Sequence, residues 1–264
     1  MDKRKKALLI YLAGALGQIF ITCVAVFCLR GNGRKVDYTN ALGMLAIGMG
    51  GISSALWGAV VSIRYRGSTL KEIFVDFLNV KQSYKGYALV LAFLVLDFGS
   101  VLLGGRFRIS NWYIPFILFL KAIIFGGIEE IGWRYTFQPV LEEKINYIFS
   151  TIITFVFWGV WHFLYFYIEG SIGQVQVIEF LTGLLVNCFI LSAIYHKTKS
   201  LWLCVMTHAL INVFSQVAVG GNSFVLLCCR GVIVMAAVFI SSKECGNVLK
   251  ESDSSSCVVI KNRE

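Results

Sequence analysis

Gly126-Gly127-Ile128-Glu129-Glu130-Ile131-Gly132-Trp133-Arg134 decides how this chain is read. Two adjacent carboxylates and an arginine stand at the end of an apolar run. A charge at the middle of a membrane helix costs about 2.5–3.5 kcal/mol on insertion scales, so three charges together need a reason. On a helix, Glu130 and Arg134 are four residues apart and share a face, where they can form a structural ion pair. Glu129 lies about 100° around the same helix and is left as the working carboxylate. The competing reading is a cluster that merely ends a helix at the membrane interface.

The rest of the chain fixes the setting. Of its 264 residues, 57% are hydrophobic and 15% charged, with mean hydropathy +0.73. A soluble domain would carry about 25% charge. The composition predicts an all-α, polytopic integral membrane protein, with residues 1–264 forming a single membrane domain and no large soluble module. A net charge of +9 raises the question of nucleic acid. Membrane topology explains it better, because lysine and arginine collect in loops on the cytosolic side; no nucleic-acid partner is expected. Eight cysteines, Cys23, Cys28, Cys188, Cys204, Cys228, Cys229, Cys245 and Cys257, show no paired CxxC spacing, which argues against a zinc ribbon or disulfide framework. Most sit in apolar runs, where cysteine behaves as a small hydrophobe.

Apolar runs predict about eight spans, over residues 7–29, 41–63, 87–103, 112–128, 147–168, 175–195, 201–219 and 224–241. The first follows a basic start like that of a signal peptide, but it is long enough to cross and is read as a retained helix. The second is rich in glycine, which permits close helix packing. Residues 64–86 differ. Leu70, Ile73, Phe74, Phe77 and Leu78 recur at helical spacing among charged residues, and Thr69 with Glu72 makes a capping-box pattern. That predicts an amphipathic helix lying on the membrane surface. Residues 242–264 read as a polar, mobile, cytosolic tail. An even number of spans puts both termini on one side. Taking that side as cytosolic assigns 17 of the 24 lysines and arginines to it and five to the other. A cell-membrane, multi-pass protein with both termini in the cytosol follows.

His162 and His208 fall inside spans, and His196 in a loop. A lone membrane histidine is commonly just bonded to a neighbouring helix. Two of them, with a diglutamate and an asparagine on three helices, invite a catalytic reading. Helix geometry sets Trp158 beside His162 and His208 beside Asn212, each at i,i+4.

Glu129-Glu130-x-x-x-Arg134, Trp158-x-x-x-His162 and His208-x-x-x-Asn212, in that order, resemble the CAAX protease and bacteriocin-processing (CPBP, or Abi) intramembrane proteases, which include the type II CAAX prenyl endopeptidases. The family's second motif usually begins with phenylalanine; here Trp158 stands there as an aromatic replacement, with Phe157 next to it. The resemblance covers residues 125–214, the catalytic motif core, while the N-terminal third matches only in being hydrophobic. It implies an intramembrane endopeptidase that cleaves a membrane-associated or lipid-modified peptide or protein reached from the membrane or the cytosol, with lipid around it.

Residue chemistry points the same way. Peptide hydrolysis needs an activated water and a stabilised oxyanion. Glu129 supplies a poorly solvated base, His162 helps orient or deprotonate the water, and His208 with Asn212 presents N–H donors to the oxyanion. The resemblance assigns the same roles to these positions. No cofactor is the preferred reading. The alternative is a divalent metal, zinc first, held by Glu129, His162 and His208 with an open position for water; against it, no His-Glu-x-x-His helix is present and Arg134 sits close by. Two other functions remain open: a bacteriocin self-immunity or regulatory protein of the same family with little proteolysis, and a small transporter, which would be expected to show inverted repeats. Depth poses a constraint. On straight helices Glu129 lies roughly 26 Å below the outer end of its span, and His162 and His208 roughly 12 and 18 Å below theirs. A break at Gly126-Gly127, or a later start to that span, is required to bring them together.

Overall fold

The computed structural model describes the backbone of residues 2–261 and the side chains of residues 2–242. Helix α1 spans Lys3–Gly31 and begins at Asp2, whose side chain accepts the Arg4 amide. Asn40 caps α2 (Ala41–Gly51), which continues past Ile52 into α3 (Ser53–Val61) and a wide π turn over Ser62–Arg66. Gly67, at φ 74°, ends it in the left-handed region that glycine adopts without penalty. The predicted surface helix follows as α4 (Leu70–Phe77), opened by the full Thr69–Glu72 capping box.

Next come α5 (Tyr84–Asp97), α6 (Gly99–Gly104) and strand β1 (Gly105–Phe107). Helix α7 (Ile114–Phe125) starts with Pro115 in its first turn and stops at Gly126. A 3-10 turn over Gly127–Glu129, one helical turn, α8 (Glu130–Gly132), a π turn over Trp133–Phe137 and α9 (Gln138–Glu142) carry the diglutamate segment. Three long helices, α10 (Tyr147–Glu169), α11 (Val177–Thr198) and α12 (Leu201–Val217), follow. Strand β2 (Ala218–Gly220) pairs antiparallel with β1, Gly105 opposite Gly220, and α13 (Ser223–Lys261) closes the chain.

This is a polytopic helical membrane protein, but the expected eight spans are reduced. Among the described residues five helical stretches are long and apolar enough to cross: Lys3–Gly31, Ala41–Arg66, Tyr147–Glu169, Val177–Thr198 and Ser223–Ser242. The other three expected spans form shorter pieces. Asp97 and Gly99 flank a break at Phe98, and the Pro115 and Gly126 boundaries leave α7 with 12 residues. At 1.5 Å per residue that is about 18 Å, well short of a hydrocarbon core of about 30 Å. The last helix runs on to Lys261; residues 262–264 lie outside the described part.

Helix α11 is the axis of the bundle. Cys188, Ile190, Leu191, Ala193 and Ile194 on it are wholly buried. Helix α1 is integral as well, burying Tyr11, Ala15 and Ile19. Outward faces carry large exposed apolar side chains such as Phe20, Phe27, Phe116, Leu120, Met235 and Phe239. Such a surface suits lipid and not water. Arg30 pins one end of the assembly. Its guanidinium donates to the carbonyls of Tyr167 (2.8 Å) and Ile168 (3.0 Å) in the last turn of α10, where intrahelical donors run out. Cys23, Cys28, Cys188, Cys204, Cys228 and Cys229 are free thiols; the side chains of Cys245 and Cys257 lie outside the described residues.

Candidate active site

The break in the diglutamate segment is what makes a site. Helix α7 ends at Phe125, and Gly126 sits pressed against α12. A Cβ on Gly126 would stand 2.6 Å from Asn212 Nδ2 and 3.1 Å from His208 Nε2. Only glycine lets the backbone approach those two polar atoms so closely. The break at Gly126, one of the two ways expected to bring these residues together, is present.

Beyond the break the chain turns its two carboxylates to different partners. Glu129, 4% exposed, accepts a hydrogen bond on Oε2 from Trp158 Nε1 at 2.7 Å. Glu130, fully buried, takes His208 Nδ1 on Oε1 at 2.8 Å. Its Oε2 stands 3.5 Å from Arg134 Nε, an ion pair with both side chains sealed from solvent. Arg134 also reaches Cys188 Sγ at 3.4 Å, and its guanidinium carbon lies 4.1 Å from the centre of the Trp158 ring. The topology count placed Arg134 among the cytosolic loop charges; it is instead fully buried, held by the opposite charge and the aromatic face that α8 and α10 bring to it.

Trp158 is the hub. Its ring centre is 5.0 Å from that of His162 and 5.5 Å from that of His208. Both imidazoles and the Glu129 carboxylate are therefore gathered round one indole, from the 3-10 turn, α10 and α12. His162 uses Nδ1 on the Trp158 carbonyl at 2.9 Å. A carbonyl only accepts, so Nδ1 carries the proton and Nε2 is left as the acceptor in the neutral ring. His162 is otherwise enclosed by aromatic rings of Trp161, Phe166 and Phe180. His196 stands elsewhere, against Glu142 at 3.3 Å.

Two features were not foreseen. One is the indole N–H: a phenylalanine at position 158 packs but cannot donate. The other lies before the motifs. Ser54 Oγ on α3 donates to the Glu129 main-chain carbonyl at 3.2 Å and pairs with Tyr11 OH of α1 at 2.9 Å. The only sequence signal for it was the serine pair Ser53-Ser54 in an otherwise apolar span, where polar residues tend to face neighbouring helices.

The possible metal ligands do not form a set. Among the described residues no three His, Cys, Asp or Glu side chains stand close enough together to hold a metal ion. Glu129 Oε2 is engaged by the indole, and the His208–Glu130 contact draws that ring toward α8.

Residues 111–214 match the family model described as type II CAAX prenyl endopeptidase Rce1-like. This segment is the part of the chain that is similar to that family. It contains the diglutamate turn and both histidine motifs. The chain is also similar to CAAX prenyl protease 2 of Methanococcus maripaludis, at 25% identity over 219 residues, covering 78% of this chain and 70% of that one.

Proposed function

We propose that the protein is an intramembrane endopeptidase that hydrolyses a peptide bond near a lipid-modified end of its substrate, with Glu129 as general base and no metal ion. The observation that carries this reading is the convergence on Trp158: a buried carboxylate held by the indole, with both membrane imidazoles beside the same ring. A water near Glu129 and His162 Nε2 loses its proton to the carboxylate as its oxygen attacks the peptide carbonyl. The oxyanion is met by the Asn212 amide and by His208. Since His208 spends Nδ1 on Glu130, its Nε2 donates only when the ring is an imidazolium; that form presents Nε2–H toward the gap at Gly126. One such donor is worth about 2.7–4 kcal/mol. The proton held by Glu129 then passes to the departing nitrogen, the C–N bond breaks, and a carboxylic acid and an amine leave.

The lipid-modified substrate is supported by a groove of about 580 Å³ alongside the catalytic turn. Ala59 of α3, Leu70, Phe74 and Phe77 of α4, and Ile128 and Ile131 line it, and the last two flank the diglutamate. An apolar chain there would lie within one or two residues of Glu129. Similarity to the CAAX prenyl endopeptidases makes a prenyl group the first chain to try. The charge bias supports placing both termini in the cytosol.

Cleavage of a quenched, farnesylated CAAX peptide by the detergent-purified protein tests the reading. Glu129→Ala is expected to abolish turnover, and a chelator to leave the wild type active. Unchanged cleavage by the variant removes the mechanism. Loss on chelation, restored by zinc, overturns its metal independence.

A further inference from the structure

We infer that Ser54, with Tyr11 behind it, is a positioning residue that sets where the Glu129 carboxylate stands; this rests on Glu129 being the base. Ser54 Oγ lies 3.2 Å from the Glu129 carbonyl and 2.9 Å from Tyr11 OH. A hydroxyl has one proton, and the carbonyl can only accept. The chain of donors therefore runs one way, Tyr11 O–H to Ser54 Oγ and Ser54 O–H to the Glu129 carbonyl. Ser54 is wholly buried and Tyr11 is 1% exposed, so no water competes for either bond.

The contact is built and not incidental. Helix α3 touches the catalytic turn backbone to backbone. A Cβ on Gly58 would stand 2.6 Å from Gly132 Cα, and a Cβ on Gly132 would collide with Ser54 Oγ and Tyr11 OH. The neighbouring Ser53 accepts from Trp161 Nε1 at 2.8 Å. Consecutive serines on α3 thus hold the two halves of the site, Ser54 the turn with Glu129 and Ser53 the stretch of α10 with Trp158 and His162. The 3-10 turn of Glu129 is short and follows a helix break, so its own hydrogen bonds define the carboxylate position weakly. A fixed bond to its carbonyl is what keeps Glu129 Oε2 on the Trp158 indole. All of α1 and α3 lies outside the matched segment 111–214.

Ser54→Ala and Tyr11→Phe separate positioning from plain stability, with Ser62→Ala as control. Ser62 also bonds across the same interface, to Thr136 Oγ1 at 2.8 Å, but not to the Glu129 turn. Tyr11→Phe keeps the ring packed on Trp133 and Phe137. On the farnesylated peptide, Ser54→Ala is expected to lower kcat by roughly ten- to a hundredfold, the scale of a misplaced reacting group, with KM unchanged. Tyr11→Phe should lower kcat less, and Ser62→Ala should lower Tm without touching kcat. Wild-type kcat in both Ser54→Ala and Tyr11→Phe overturns the inference. So does a fall in kcat that all three variants share in proportion to their Tm. If Ser54→Ala does not fold, Tyr11→Phe alone decides. Where Glu129→Ala itself stays active, the proposed base has failed, and not merely its support.

Discussion

Residues 111–214 and the helices before them build one site by opposite means. The matched segment contributes side chains with chemistry: two carboxylates, an arginine, an indole, two imidazoles and an amide. The N-terminal bracket, α1 to α3, contributes almost none. It offers hydroxyls and glycines to its neighbours, as Ser54 does to the Glu129 carbonyl, Ser53 to the Trp161 indole and Gly58 to Gly132. The difference teaches that a catalytic group is specified by its side chain, but its position is specified by whatever grips its backbone.

The strongest way to break this comparison is at Arg134. It is fully buried in the matched segment, paired with Glu130 and laid on Trp158. Removing one partner strands the other charge, and breaking a buried pair costs about 3–5 kcal/mol. Arg134→Ala is therefore expected to lower Tm in detergent more than any substitution in the bracket. Thermal scans of Arg134→Ala beside Ser62→Ala give the answer. An equal loss would mean that the two regions hold the fold alike and that the contrast is false.

A smaller effect sharpens it. Trp158 does two things, packing against both imidazoles and donating to Glu129 Oε2. Trp158→Phe keeps an aromatic ring and deletes the donor. A hydrogen bond to a charged group is worth about 1.5–3 kcal/mol, so kcat is expected to fall by roughly ten- to a hundredfold, with Tm nearly retained. Steady-state kinetics on the farnesylated peptide check it. Wild-type kcat in Trp158→Phe would mean that ring packing alone holds the carboxylate.

How much was legible follows from the same contrast. The three motifs could be read because each is a side-chain pattern at helical spacing, and the structure brings Glu129, His162, His208 and Asn212 into one neighbourhood. The Glu130–Arg134 pair was legible for the same reason. That Glu130 also holds His208 was not, since the partner lies 78 positions away and local spacing is silent about it. The amphipathic helix α4 was legible down to its capping box. Span number was not. Hydropathy sees apolar length, and the break at Phe98 sits inside an apolar run, where one aspartate and a glycine do not lower the average enough to show; the break at Gly126 was reached only through the depth constraint. The bracket was invisible because Ser-to-carbonyl and Gly-to-backbone contacts leave no residue pattern.

Helix α4 is the limiting case, since its polar contacts meet water. Glu72 Oε2 accepts the Thr69 amide at 2.7 Å, and the Glu72 amide donates to Thr69 Oγ1 at 3.1 Å. The Thr69 backbone N–H first, and the Thr69 hydroxyl next, hold the Glu72 carboxyl below its ordinary value. A carboxyl depressed on folding adds stability that is complete above its unfolded-state value and is lost as the pH falls through the folded one. Acid should therefore loosen the start of α4 first, while the sealed Glu130–Arg134 pair, out of reach of solvent, keeps the core intact. Thr69→Ala is expected to do the same at neutral pH, raising amide exchange over residues 70–73 with no detectable change in Tm. Exchange mass spectrometry of the two proteins measures it. A fall in Tm comparable to that of Arg134→Ala would place α4 inside the cooperative core, and polar contacts in water would then count here as much as polar contacts sealed from it.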